Sequence, residues 1–207
     1  MSIDPVAGID LSCGNRKFGR SMAKTPAKAE TSQKILDVAQ ELVQTRGYNA
    51  FSYADIAASL HVTTASLHYH FPSKAVLGHS LIQRYSEGFR KALARIDEAG
   101  AAAPQKIRGY VAAYAQVLAN HRMCLCGMLA AEYETLPKPM QSALDHFFEL
   151  NEVWLERVLE NGRRDGSLAF AGPAREFLAC DEAREIIDLP EKMACEKARL
   201  QFEQAPV

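Results

Sequence analysis

The chain of 207 residues has a formal net charge of -1, with 48% hydrophobic and 24% charged residues. This composition is typical of a globular protein, and no apolar run approaches the roughly 18 residues that a membrane-spanning helix needs. The N-terminus lacks the basic-then-apolar pattern of a secretory signal, and five irregularly spaced cysteines do not suggest a disulfide framework. We therefore expect a cytoplasmic protein with reduced thiols and no membrane partner.

Charge is unevenly distributed along the chain. Residues 1–74 carry eight Lys/Arg and six Asp/Glu, whereas residues 75–207 carry sixteen and nineteen. This asymmetry has the sign expected of a nucleic-acid-binding N-terminal part, but it is too small to identify one by itself. Residues 1–30 show no apolar period and contain scattered Lys and Arg, which predicts a flexible basic arm. Such a segment either solubilises the chain or follows DNA.

The apolar spacing becomes helical at Thr31. Apolar residues recur at i, i+3, i+4 and i+7 from Ile35 to Val43, which predicts an amphipathic first helix. Gly47 is suited to end that helix because glycine adopts the left-handed conformation at low cost.

Local start and stop signals predict two short helices after the first. Ser52 and Asp55 form a capping-box-like pair at the start of the second helix. His61 occupies the sharp turn that follows, where glycine would be easier, although histidine tolerates positive φ. Thr63 can cap a third helix over Thr64–His70. This order of elements predicts a helix-turn-helix, which places one helix in the DNA major groove.

Apolar residues continue to recur with helical spacing after the third helix. Pro72 stops the third helix, and Ser73 can cap a fourth helix that runs from Lys74 to about Ile96. Small residues at 99–104 predict a break. No long alternation with a period of two occurs, so we expect an all-α protein. The later predicted helices cover residues 105–119, 122–135, 138–164 and 173–188.

A recognition helix must pack one side on its scaffold and present short polar or flat groups to phosphates and base edges. Leu67 is the apolar anchor in this pattern. The predicted DNA-binding residues share hydroxyl, small, flat or cationic side chains on or beside the third helix. They are Ser52, Thr63, Thr64, Ala65, Ser66, His68, Tyr69 and Lys74.

An ordered set of motifs extends over residues 31–80. The set comprises Ile35-Leu-x-x-Ala39, Gly47-Tyr48, Phe51-Ser52, Asp55-Ile56-Ala57, Val62-Thr-x-x-Ser66-Leu67, Tyr69-His-Phe71 and Ser73-Lys74. This run resembles the DNA-binding domain of the TetR/AcrR family of bacterial transcriptional regulators. His61 and His68 depart from the Gly and Tyr that are common there, and His68 would make a phosphate contact sensitive to pH.

The resemblance implies a three-helix DNA-binding domain at 31–77, a linking helix at 78–96 and a larger helical effector-binding and dimerisation domain at 97–178. It also implies a homodimer on a palindromic double-stranded DNA operator, most often a repressor that a small-molecule effector releases. Residues 179–207 lose the apolar pattern and contain Pro190, so we predict an atypical, mobile C-terminal segment.

The resemblance also places a cysteine-containing segment in a helix that lines or flanks the effector cavity. Its candidate effector or redox residues are His121, Cys124, Cys126 and Met128. Residues two apart do not face each other on a helix, so a direct disulfide between the two cysteines would require unwinding.

Three interpretations of the two cysteines remain open. They are buried small hydrophobic residues, or one is a thiolate poised beside Arg122 or His121 to react with an oxidant or electrophile. The third interpretation is a metal sensor that adds His121 and His146, but no second ligand cluster supports it.

Downstream, Trp154, Leu155 and Val158 mark an apolar helix face that we predict to lie in the core or at the dimer interface. The sequence contains no Ser/His/Asp elbow, phosphate-binding glycine loop or paired zinc motif. We therefore predict no catalytic residue, cofactor or resident metal. A helical enzyme or carrier that acquired a helix-turn-helix is the alternative from another functional class.

Overall fold

A computed structural model of the chain describes residues 26–119 and 122–178. All regular secondary structure within these ranges is helical, which confirms the all-α prediction. The predictions for residues 1–25, His121 and residues 179–207 lie outside the described residues. The helices are α1 (Pro26–Arg46), α2 (Tyr53–Leu60), α3 (Thr64–His70), α4 (Lys74–Glu98), α5 (Ala103–Ala119), α6 (Leu125–Ala131), a 3-10 turn (Tyr133–Thr135), α7 (Lys138–Asp165) and α8 (Ala174–Leu178).

Two of the predicted helices differ clearly from those that the structure shows. Helix α1 begins at Pro26 rather than Thr31, so the last residues of the predicted arm are helical. Proline suits the first turn of a helix because the amide hydrogen that it lacks has no intrahelical partner there. The predicted helix at 122–135 is divided, since α6 ends at Ala131 and the 3-10 turn follows.

The described chain forms two compact units, and α4 and α7 each contribute residues to both. One unit contains residues 26–88 and 122–147, and the other contains residues 89–119 and 148–178. Helix α6 therefore belongs to the same unit as the predicted DNA-binding helices. The sequence-based division at residue 97 assigned α6 to a separate effector domain, because chain order does not show which distant segments pack together.

The first unit has a core built on the apolar side of α1. Among its fully or almost fully buried side chains are Ile35, Ala39, Val43, Ile56, Leu67, Leu77, Leu81 and Ile82. Arg84 of α4 adds polar contacts to α1, donating to Asp37 Oδ1 at 2.6 Å and to Gln40 Oε1 at 2.8 Å. These contacts set the position of the first half of α4 against α1.

In the second unit, Asp97 joins three helices. Its carboxylate accepts from Lys106 of α5 at 2.8 Å, and from Trp154 at 3.0 Å and Arg157 at 2.5 Å, both of α7. Burial opposes ionisation, but these hydrogen bonds outweigh it and hold the pKa of Asp97 below its ordinary value. Tyr110 stacks on Trp154 with ring centroids 5.7 Å apart.

The predicted dimer-interface residues lie within this second unit. Trp154, Leu155 and Val158 are all buried in the single chain. Their role in a dimer stays a prediction. Within the described ranges, none of the helices combines the length and apolar character needed to cross a bilayer.

The turn between α2 and α3 adopts the predicted left-handed conformation. His61 has φ 54° and ψ 43°, and its backbone N–H donates to the Ala58 carbonyl at 3.3 Å. Gly47, which ends α1, has φ 91°. The left-handed region is open to glycine without steric cost, whereas the Cβ of any other L-residue approaches its own backbone there.

We expect His61→Gly to raise the free energy of unfolding by about 0.5–1 kcal/mol, because it relieves this steric cost. His61→Val should lower it by about 1–3 kcal/mol, since a β-branched residue is poorly tolerated at positive φ. Thermal and chemical denaturation of the three proteins would test this. A His61→Gly protein that is less stable than wild type would contradict the assignment of strain to this turn.

Candidate nucleic-acid interface

Helix α3 is held in place by one cap and one anchor. Thr63 Oγ1 accepts a hydrogen bond from the Ser66 backbone N–H at 3.2 Å, as the sequence predicts for an N-cap. Leu67 is completely buried, and Phe71 follows the helix into the core. The cap and the anchor together decide which side of α3 remains outside.

Two side-chain contacts that the sequence did not reveal join α3 to its neighbours. Tyr53 of α2 donates to the Phe71 carbonyl at 2.8 Å. Burial, with a contribution from Tyr48, raises the pKa of Tyr53 to about 12, so its hydroxyl retains the donated proton at neutral pH.

The second contact joins α3 to α1. His70 Nδ1 lies 2.9 Å from Ser32 Oγ, and that hydroxyl donates to the Lys28 carbonyl at 3.0 Å. Because serine has a single hydroxyl hydrogen, His70 Nδ1 is the donor to Ser32 when that hydrogen points to the Lys28 carbonyl. No spacing rule relates residues this far apart in the sequence, so only the fold could show the pair.

The outer side of α3 gathers four of the predicted DNA-binding residues. Thr64, Ala65, His68 and Tyr69 are exposed, and they form two neighbouring i, i+4 pairs on the helix surface. Tyr69 is 70% exposed, and the ammonium of Lys28 lies 4.6 Å from its ring centroid. Hydroxyl, methyl, imidazole, phenol and ammonium groups therefore occupy one exposed surface, which we call the α3 face.

Three other predicted residues lie at the N-terminal ends of α2 and α3. Thr63 and Ser52 are exposed, whereas Ser66 is half-buried. The Ser52 backbone N–H and hydroxyl both donate to Asp55 Oδ2, at 2.7 and 2.6 Å. The hydroxyl bond, followed by the backbone bond, lowers the pKa of Asp55. The orientation of Ser52 is thus set by Asp55, as expected for the capping pair.

His68 has a defined orientation. Its Nδ1 lies 3.2 Å from the Pro72 carbonyl oxygen, and its ring centroid lies 4.6 Å from that of Tyr53. A carbonyl oxygen only accepts, so Nδ1 carries the proton in this contact. The second nitrogen, Nε2, is then an acceptor when the ring is neutral and a donor when the ring is protonated.

Lys74 differs most from the sequence-based expectation of a phosphate contact. Its ammonium donates to the Phe51 carbonyl at 2.5 Å and lies 4.6 and 4.4 Å from the ring centroids of Tyr48 and Phe51. Burial lowers the pKa of Lys74, while Glu132 and Asp55 act in the opposite direction. The side chain is therefore committed to the start of α4 and the turn after α1.

The cysteine-containing segment lies at α6. Cys126 is completely buried, and burial, together with the nearby Cys124, raises the pKa of its thiol well above the ordinary value. Cys124 is half-buried, with its Sγ 3.5 Å from the Tyr85 hydroxyl. Met128 is half-buried, and His121 lies outside the described residues. No cluster of three or more His, Cys, Asp or Glu suited to a metal ion occurs in the described part of the chain.

The helix-turn-helix and its caps define a DNA-binding transcriptional regulator, and comparisons with known proteins identify the family. Residues 35–81 match the family model for bacterial regulatory proteins of the tetR family. A TetR-family regulator from Agrobacterium tumefaciens is similar in structure, with 32% identity, a TM-score of 0.70, and coverage of 72% of this chain and 80% of that chain. The chain belongs to the TetR family of transcriptional regulators.

Further relatives agree with this assignment. A TetR regulator from Legionella pneumophila has 33% identity and a TM-score of 0.64, and the match covers 84% of this chain and 96% of that one. The transcriptional repressor NemR of Escherichia coli K12 is 25% identical over 150 residues, which cover 69% of this chain and 74% of NemR. The repressor DhaR of a Mycobacterium species is 24% identical over 148 residues, which cover 71% of this chain and 72% of DhaR.

We expect Lys74→Met to lower the free energy of unfolding by about 1 kcal/mol, because it removes the ammonium from two aromatic rings. It should leave the salt dependence of DNA binding unchanged, since the ammonium already has inward partners. Lys28→Met, on the α3 face, should reduce the slope of log affinity against log salt by about 0.9. Fluorescence anisotropy between 50 and 200 mM salt would measure both slopes; a reduced slope for Lys74→Met would show that Lys74 turns outward to a phosphate.

Proposed function

We propose that the protein is a homodimeric repressor that binds a palindromic operator through the α3 face and leaves it when a small-molecule effector binds. The observation that carries this proposal is the exposed arrangement of Thr64, Ala65, His68 and Tyr69 around the buried anchor Leu67. These groups suit phosphate oxygens, base edges and thymine methyl groups. Lys28 adds a cation at the edge of the same face.

The names of two relatives support repression rather than activation. NemR and DhaR are both transcriptional repressors. A homodimer places two copies of α3 about one helical turn apart on DNA, roughly 34–36 Å between half-sites. An effector that changes this separation would release the operator. We further propose that the protein acts in the cytoplasm, where the bacterial chromosome lies.

The half-buried thiol of Cys124 supports a second candidate, a regulator that responds to oxidants or electrophiles. The sulfur lies at the start of α6, next to the Tyr85 hydroxyl, and is more accessible than that of Cys126. One crystal structure of NemR is described as its reduced form; it is 22% identical to this chain, with a TM-score of 0.63. Of the two cysteines, Cys124 is therefore the better candidate for such chemistry.

The repressor proposal predicts that Thr64→Ala combined with Tyr69→Ala weakens operator binding at least tenfold, because phosphate and base contacts are lost from the α3 face. Fluorescence anisotropy with DNA that flanks the protein's own gene would measure the change. Sedimentation of the wild-type complex should show an even number of chains on each palindrome.

Thr45→Ala is the matched control. Thr45 is an exposed α1 threonine whose hydroxyl donates to the Glu41 carbonyl, and it lies outside the α3 face. Its substitution should leave operator affinity unchanged. Equal binding by the double variant and the control would refute the assigned recognition helix.

The thiol candidate predicts that N-ethylmaleimide labels Cys124 before Cys126 in the folded protein. Burial keeps the Cys126 thiol protonated and inaccessible, whereas Cys124 is half-buried. Tandem mass spectrometry of the peptide that contains both residues would locate the label. Labelling should lower operator affinity in wild type but not in Cys124→Ser, and an operator affinity that labelling leaves unchanged would remove this candidate.

A further inference from the structure

The carboxylate of Glu132 lies against the turn that joins α1 to α2. Its Oε2 accepts from the Tyr48 backbone N–H at 2.6 Å, and its Oε1 accepts from the Asn49 backbone N–H at 3.3 Å. A Cβ placed on Gly47 would lie only 3.0 Å from Glu132 Oε1. The missing side chain at Gly47 therefore lets the carboxylate reach the turn.

The segment that carries Glu132 is attached to α1 and its turn at three further places. Arg122, just before α6, forms a salt bridge with Glu41 of α1 at 3.1 Å. Met123, just before α6, donates its backbone N–H to the Gln44 carbonyl at 3.2 Å, and Gln44 Nε2 donates back to the Met123 carbonyl at 3.0 Å. After α6, Asn49 Nδ2 donates to Thr135 Oγ1 at 2.8 Å. Polar contacts thus bracket α6 on both sides, and among them the Glu132 carboxylate binds the backbone N–H groups of the turn.

The contacts of Glu132 are the strong hydrogen bonds among those that join the α6 segment to α1 and its turn. A carboxylate that accepts from backbone N–H groups forms charge-assisted hydrogen bonds, which are roughly twice as strong as neutral ones. Tyr48 is buried, so removal of the Glu132 carboxylate would leave the Tyr48 backbone N–H without this acceptor in a position that water reaches poorly.

A short series of contacts connects this turn to α3. The Lys74 ammonium forms a cation–π contact with the Tyr48 ring and also donates to the Phe51 carbonyl just before α2. Tyr53, in the first turn of α2, in turn binds the Phe71 carbonyl at the end of α3. The turn that Glu132 holds is therefore joined to both ends of the helix-turn-helix.

We propose that Glu132 is a positioning residue for operator binding. Although it lies far from the helix-turn-helix in the sequence, its carboxylate fixes the α1–α2 turn and thereby the orientation of the α3 face. Operator affinity consequently depends on where α6 places this carboxylate. The proposal rests on the proposed function in one respect: the α3 face must be the DNA-binding surface.

The hydrogen bonds themselves can be tested by NMR without DNA. The chemical shift of a backbone amide proton depends on the acceptor that it binds, and a carboxylate is a stronger acceptor than a neutral amide oxygen. The amide protons of Tyr48 and Asn49 should therefore change their chemical shifts in Glu132→Gln. Unchanged shifts of both amide protons would overturn the proposal, whether or not DNA binds.

The effect on DNA binding can be tested with Glu132→Gln, which keeps the side-chain size. Glutamine offers one carbonyl oxygen and turns its NH₂ group towards the second backbone N–H, so one of the two hydrogen bonds is replaced by a repulsive contact. We expect operator affinity to fall about tenfold at a temperature where circular dichroism shows the protein fully folded, because a loosened turn must be ordered again on DNA.

Glu134→Gln is the matched control, since Glu134 is an exposed residue of the 3-10 turn that directly follows Glu132. It removes the same charge and should change neither the Tyr48 amide shift nor operator affinity. Equal losses in both variants would show a general charge effect and overturn the positioning role. If wild type binds the operator and Glu132→Gln binds equally well, the inference alone fails, whereas a wild-type protein that binds no DNA refutes the proposed function as well.

Discussion

The shortness of the recognition helix is the constraint on which the DNA-binding unit depends. Helix α3 has seven residues, and an isolated helix of that length is unstable in water. Its position must therefore be imposed by contacts outside itself. Leu67 supplies the buried anchor, Thr63 satisfies a backbone amide at the start, and Tyr53 binds the carbonyl that follows the end. The outer residues of α3 remain exposed because the inner ones hold the helix.

Because contacts outside α3 set its position, the packing of α6 in the same unit as the DNA-binding helices matters for that position. The core of this unit is apolar and densely buried, so it resists small rearrangements. The link between α1 and the α6 segment instead includes several polar contacts, centred on Glu132, Gln44 and Asn49. Hydrogen bonds of this kind exchange with water more readily than core packing. The unit thus combines an apolar core with a polar attachment to the α6 segment, and the proposed positioning role of Glu132 depends on that attachment.

Much of the DNA-binding unit could be predicted because its signals are local. The Ser52–Asp55 pair, the Thr63 cap and the left-handed His61 turn each involve residues within a few positions, and the structure shows all three. The exposed positions of α3 followed from one apolar anchor in a helical period. The direction of Lys74 could not be predicted, because its partners are an aromatic pair and a carbonyl that the fold brings to it.

The sequence by itself determined the all-helical class, the order of the helices and the outer side of α3, since caps, turns and apolar spacing act over a few residues. Only the tertiary structure decided that α6 joins the DNA-binding unit, that His70 meets Ser32 and that Glu132 holds the α1–α2 turn. These contacts join residues that are far apart along the chain. No local sequence pattern predicts these contacts, because the polar groups can stabilise the protein only after packing of the apolar helix faces has brought them together.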